Sequence, residues 1–111
     1  MTVLVVREPE FDASEGYEVL LVRTTIDNDR CTLYLAGEFD CASSGRLLRA
    51  ATAVRESAVV IDMGLVSFMD CSGYRSLMAA ERMFGQRGQT VVIQGLTGQP
   101  TRLLDLITQL G

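Results

Sequence analysis

Apolar positions fall into short blocks of two periods, and the blocks alternate along the chain. Glu18 to Thr25 is rich in Val and Leu, and from Cys31 to Ala36 apolar and polar residues alternate, which puts Cys31, Leu33 and Leu35 on one face. Both are strand signals. Ile26-Asp27-Asn28-Asp29 between them is turn chemistry, because Asn and Asp tolerate the backbone angles a tight turn needs. The two strands are expected to form a β-hairpin, with Gly37-Glu38-Phe39-Asp40 ending the second and Cys31 in the core.

The period then lengthens. Ser43 and Ser44 offer an N-cap, and Leu47, Leu48, Ala51 and Val54 follow helical spacing, predicting a helix over 43–55. Ala58-Val59-Val60-Ile61-Asp62-Met63 is a continuous apolar run of the kind a central strand buries on both faces. Residues 64–71 read as a loop. Residues 72–86 read as a second helix with Leu77, Ala80 and Phe84 inward and Gly88 just past its end as a stop. Thr90–Gln94 reads as another central strand and Gly95–Gln99 as a loop. Pro100 suits the first turn of a third helix, whose apolar stripe is Leu103, Ile107 and Leu110.

The order β-β-α-β-α-β-α predicts one α/β domain: a four-stranded mixed sheet with helices packed mainly on one face, strands joined through helices running parallel by right-handed crossovers. Val3–Val6 can add an N-terminal edge strand. Residues 1–16 are expected to be an N-terminal arm or that edge strand, and residues 17–111 the domain itself. There is no internal repeat, linker or low-complexity tract.

Composition narrows the function. A chain of 111 residues holds one core without metals or disulfides. No apolar run approaches the length needed to cross a bilayer, and the opening Met1 to Arg7 lacks the form of a signal peptide, so a cytoplasmic protein is expected. A net charge of −4 with no basic stripe argues against nucleic acid as a direct partner. Three cysteines without a Cys-x-x-Cys pair form neither a disulfide framework nor a zinc pattern. The chain has no histidine, which removes Ser–His and Cys–His catalysis and the commonest metal ligand. It also lacks the Gly-rich phosphate-binding patterns of nucleotide enzymes. A non-enzymatic protein without cofactor or metal is expected.

The informative stretch runs from Val59 to Gly73. A buried strand ends in Asp62, a loop follows, and Asp70-Cys71-Ser72-Gly73 opens a helix. A serine is thus placed at a helix N-terminus, where backbone N–H groups lack internal partners and the dipole is positive. A phosphate there is accepted locally, yet it adds nearly two negative charges to any surface packed on it. An unpaired buried charge at an interface costs about 2–5 kcal/mol.

Three segments resemble the sulphate-transporter and anti-sigma-antagonist (STAS) domain family in its stand-alone bacterial form, the anti-sigma factor antagonist. They are Gly37-Glu38-Phe39-Asp40, the stretch Ile61-Asp62-Met63 through Phe68-Met69-Asp70-Cys71-Ser72-Gly73, and Arg87-Gly88-Gln89-Thr90-Val91-Val92-Ile93. The resemblance covers roughly residues 17–110. It implies a STAS-type fold and a protein that binds an anti-sigma factor, itself a serine kinase, and so frees a sigma factor. The kinase would phosphorylate Ser72 and a phosphatase would restore activity. Such a protein is a substrate and competitor rather than a catalyst. Cys71 departs from the family by replacing a serine, and Tyr74-Arg75-Ser76 replaces its Leu-Gly-apolar.

Each residue also has a plain structural reading. Ser72 is either an N-cap or the phosphoacceptor. Asp70 either caps or positions Ser72. Asp40 lies near Ser72 by resemblance, or caps the helix at residue 43. Asp62 bonds nearby loop N–H groups. Cys71 is a small half-buried residue or a redox-sensitive thiol, and Gly73 completes the switch motif. Tyr74 and Met78 belong to the core edge or, with Arg75, to a partner-binding patch. A weak homodimer is compatible with all of these. The competing functions are a STAS accessory subunit, for instance on the ATPase of a lipid transporter, and a nucleotide binder or enzyme using the helix end as a phosphate cradle.

Overall fold

The computed structural model describes residues 4–7 and 20–110. Its elements are β1 (Leu4–Arg7), β2 (Leu21–Asp27), β3 (Arg30–Phe39), α1 (Gly45–Thr52), β4 (Ala58–Met69), α2 (Cys71–Gln86), β5 (Thr90–Gln94) and α3 (Gly98–Leu110). The strands form one mixed sheet in the order β1-β2-β3-β4-β5. β1 and β2 run antiparallel, as do β2 and β3; β3, β4 and β5 run parallel. The extra edge strand exists over Leu4–Arg7; Val3, and the rest of the N-terminal arm up to residue 16, lie outside the described residues.

Strand alternation builds the core. Val22 and Thr24, then Cys31, Leu33 and Leu35, then Val59, Ile61 and Met63 are buried on one face, where Leu47 and Ala51 of α1 and Leu77, Ala80 and Phe84 of α2 meet them. Arg23 and Tyr34, paired across β2 and β3, are exposed on the other face. The β2–β3 turn closes through Asn28, which takes the left-handed φ of 57°. Asp29 in that turn accepts from both the hydroxyl and the N–H of Ser57, fixing the turn to the start of β4.

Several expectations change. Residues 64–71 are not a loop: β4 runs on to Met69 alongside the ten-residue β3. The ladder survives through register shifts between Tyr34 and Ala36 and between Gly37 and Glu38, with Gly37 at φ 108°. A bulge of this kind is invisible to an alternation count, because it breaks the period of two. β5 is an edge strand rather than a central one, with Thr90, Val92 and Gln94 exposed; β-branched composition suits any half-buried pleated surface and does not reveal the number of neighbours.

The helix expected over 43–55 is shorter; Ser44 takes the N-cap position, but neither serine side chain caps it. The Ser44 side chain makes no capping hydrogen bond, and the buried Ser43 hydroxyl turns back to donate to the Glu38 carbonyl at 2.7 Å. The far end of α1 is closed by tertiary partners. Arg87 donates to the carbonyls of Ala51 and Val54, and the Gln89 amide donates to those of Val54 and Glu56. Gly88, at φ 79°, ends α2 as expected. α3 starts at Gly98, with Pro100 buried in its first turn. Leu110 is exposed rather than part of the buried stripe, and Leu104 joins Leu103 against the core instead.

Candidate functional site

The expected switch residues gather where β3 and β4 end side by side and α2 begins. Phe39 and Met69 are ladder partners at the ends of β3 and β4. The chain leaves Met69 through Asp70, whose N–H donates to the Phe39 carbonyl at 3.2 Å. Asp70 has extended backbone angles and is the N-cap of α2, with Oδ1 accepting from the Gly73 N–H at 2.9 Å. Its Oδ2 accepts from the Cys41 N–H at 3.2 Å. One carboxylate therefore caps the helix and ties it to the β3–α1 loop.

Ser72 is thus the second residue of α2, and the N-cap reading of it falls because Asp70 fills that place. Ser72 is half-buried, and its hydroxyl makes no hydrogen bond to another described residue. The serines around it differ. Ser43 bonds Glu38, Ser67 donates to the Gly37 carbonyl, and the buried Ser76 donates to the Ser44 carbonyl at 2.5 Å, locking α2 to the start of α1. Gly73 is buried, and a Cβ there would stand 2.1 Å from the Phe39 carbonyl oxygen. Glycine at 73 is what lets the helix start sit against the end of β3.

The other expected residues divide. Asp40 Oδ1 accepts from the N–H groups of Ala42 and Ser43, so it organises its own turn. The neighbouring Cys41, through its backbone, makes the link to α2. Cys71 and Cys41 are exposed and Cys31 is buried; the half-buried reading of Cys71 is corrected. Tyr74 and Met78 are half-buried and pack against the core, whereas Arg75 is exposed. Asp62 Oδ1 accepts from Gly64 N–H at 2.9 Å and Oδ2 from the Gln94 amide at 3.0 Å.

One residue escaped the sequence reading. The Gln99 side chain accepts from Met69 N–H and donates to Met69 C=O, both at 2.8 Å, completing the strand end that leads into the site. A lone glutamine in the first turn of a helix carries no pattern that announces this. Among the described residues no group of Cys, Asp and Glu is arranged to hold a metal ion, and no helix is long and apolar enough to cross a membrane.

Comparisons with known proteins bear on the family and the fold as a whole. The family model described as Mlab, STAS domain matches residues 22–109. The chain belongs to the STAS domain family. Among solved structures, this STAS domain is similar to an anti-sigma factor antagonist from Mycobacterium paratuberculosis, with a TM-score of 0.65 and 25% identity over 82% of this chain and 79% of that one. It is similar in fold to a sulfate transporter family protein from Wolinella succinogenes, with a TM-score of 0.63 and 19% identity over 76% of this chain and 73% of that one. It also shares its fold with part of Mglu, with a TM-score of 0.64 and 23% identity; there it covers 68% of this chain but spans only 20% of the other. No curated protein sequence matches it.

Proposed function

We propose that this STAS domain is an anti-sigma factor antagonist. It binds an anti-sigma factor that is also a serine kinase, frees a sigma factor by doing so, and is switched off when that kinase phosphorylates Ser72; a phosphatase reverses the switch. In this reading residues 17–111 carry the binding module, which acts as substrate and competitor rather than as an enzyme, inside the cytoplasm.

The observation that carries the reading is the Ser72 hydroxyl, which bonds no other described residue, on a helix start that Asp70 caps and Gly73 seats against β3. A phosphoacceptor must leave its oxygen free to enter another protein's active site, and every bond it made within its own fold would oppose that. Likeness to the M. paratuberculosis antagonist supports the partner class. Arg75, exposed one turn along α2, and the outer edges of Tyr74 and Met78 would meet the partner beside Ser72.

The test is to incubate the protein with candidate histidine-kinase-like anti-sigma factors and ATP, and to map phosphate by mass spectrometry. One phosphate on Ser72 is expected, and none in Ser72→Ala. Ser72→Glu should weaken binding roughly 30-fold, the equivalent of about 2 kcal/mol. No phosphate with any such kinase, together with undiminished binding by Ser72→Glu, would overturn the proposal.

The fold is shared with a sulfate transporter family protein, and a second reading is a STAS accessory subunit of another complex such as an ABC-type lipid transporter ATPase. Ser72 would then be an interface residue that is never phosphorylated. Stable co-purification with such an ATPase, indifferent to kinase and ATP, distinguishes it.

A further inference from the structure

We infer that Asp70 relays charge on Ser72 to the β3–α1 loop, so that phosphorylation changes the shape of the partner-facing surface as well as its charge. This inference rests on the reading of Ser72 as a phosphoacceptor. Asp70 holds two N–H donors at once, Gly73 at 2.9 Å within α2 and Cys41 at 3.2 Å across the site. Those two amides and the positive end of α2 hold its carboxylate in place. The N–H groups of Cys71 and Ser72 donate to no other described residue.

A phosphate on Ser72 is within reach of its own N–H and that of Cys71. It would place a second anion, of nearly two charges, at the helix end that Asp70 already occupies. Like charges sharing one site repel, and the helix dipole offers only about half a positive charge to divide between them. Asp70 must loosen its hold. The longer bond, to the exposed Cys41 N–H, gives way before the cap on Gly73 does. Residues 41 and 42, both exposed, are then released from α2, while Ser43 stays anchored by Asp40 and Glu38. The partner would meet a displaced loop beside the phosphate.

Amide hydrogen exchange followed by NMR on the purified protein tests this without any kinase. Ser72→Glu should speed exchange at the Cys41 N–H about tenfold and leave Ser43 and Val54 unchanged. In Asp70→Asn, which retains a capping oxygen but no charge, Ser72→Glu should add nothing at Cys41. An unmoved Cys41 amide in Ser72→Glu, or an equal response in the Asp70→Asn background, overturns the relay. A Ser72 that no kinase modifies, while the Cys41 amide still responds to Ser72→Glu, overturns the proposed function and with it the role of phosphate, but not the coupling of charge at residue 72 to Cys41, so the two failures are distinguishable.

Discussion

Gly73 and Phe39 approach so closely that a methyl group on residue 73 would stand 2.1 Å from the Phe39 carbonyl oxygen and 3.0 Å from the Met69 side chain. Backbone oxygen cannot swing aside as a flexible side chain does. Gly73→Ala should therefore push α2 away from the end of β3 and destabilise the domain by about 1–3 kcal/mol, the usual cost of forcing an atom into a packed site. Urea denaturation measures it. A variant as stable as the parent would show that the helix start is not wedged.

Ser72→Ala should leave stability within about 0.5 kcal/mol of the parent, because its hydroxyl bonds no other described residue. Ser76→Ala should behave differently. Its buried hydroxyl donates to the Ser44 carbonyl, and losing it costs roughly 1–3 kcal/mol. Chemical denaturation of the pair side by side tests both, and the contrast separates a functional serine from a structural one.

Asp70→Ala removes the N-cap of α2 and its link to Cys41 together. A loss of about 1–2 kcal/mol is expected, whereas Asp70→Asn should retain most of the stability. Equal losses in thermal unfolding would mean that the second oxygen, which accepts from Cys41, or its charge matters more than the capping oxygen.

Gln99→Ala leaves Met69 without its side-chain partners for both N–H and C=O. Unfolding should become easier by about 1–3 kcal/mol, and hydrogen exchange at the Met69 amide should rise with it. Unchanged protection there would show that the glutamine is dispensable.

Asp29 gives a pH dependence with a definite sign. The Ser57 hydroxyl, then the Ser57 N–H, hold its carboxyl below the ordinary value of 3.8. A depressed folded value means that the folded state favours the carboxylate. The contribution is therefore fully present above the unfolded value and lost as pH falls through the lowered one. The carboxyl is fully exposed, so the effect is small. Stability measured from pH 6 down to pH 2 should fall less steeply in Asp29→Asn than in the parent, and parallel curves would refute the assignment.

Much of this was legible in one dimension. Cys31, Leu33 and Leu35 declared their shared face by alternation, and Leu77, Ala80 and Phe84 by helical spacing; all six are buried as expected. Such patterns are readable because period depends only on local geometry. The strand from Gly64 to Met69 was not, since two register shifts hide it and β3 supplies its hydrogen bonds from some thirty residues away. Ser43 and Ser44 looked like caps, yet the Ser43 hydroxyl finds a better acceptor in a carbonyl that folding brings near.

The same division runs through the candidate site. Local sequence chemistry was enough to set a serine at the start of a helix, on a chain without histidine, after a strand of apolar residues. Which oxygen caps that helix, which glycine is wedged against a distant carbonyl, and which serine hydroxyl the described residues leave unbonded were decided only when the ends of β3 and β4 met α2. Hydrogen bonds and close contacts are satisfied between whichever groups the fold brings together, and separation along the chain places no limit on them.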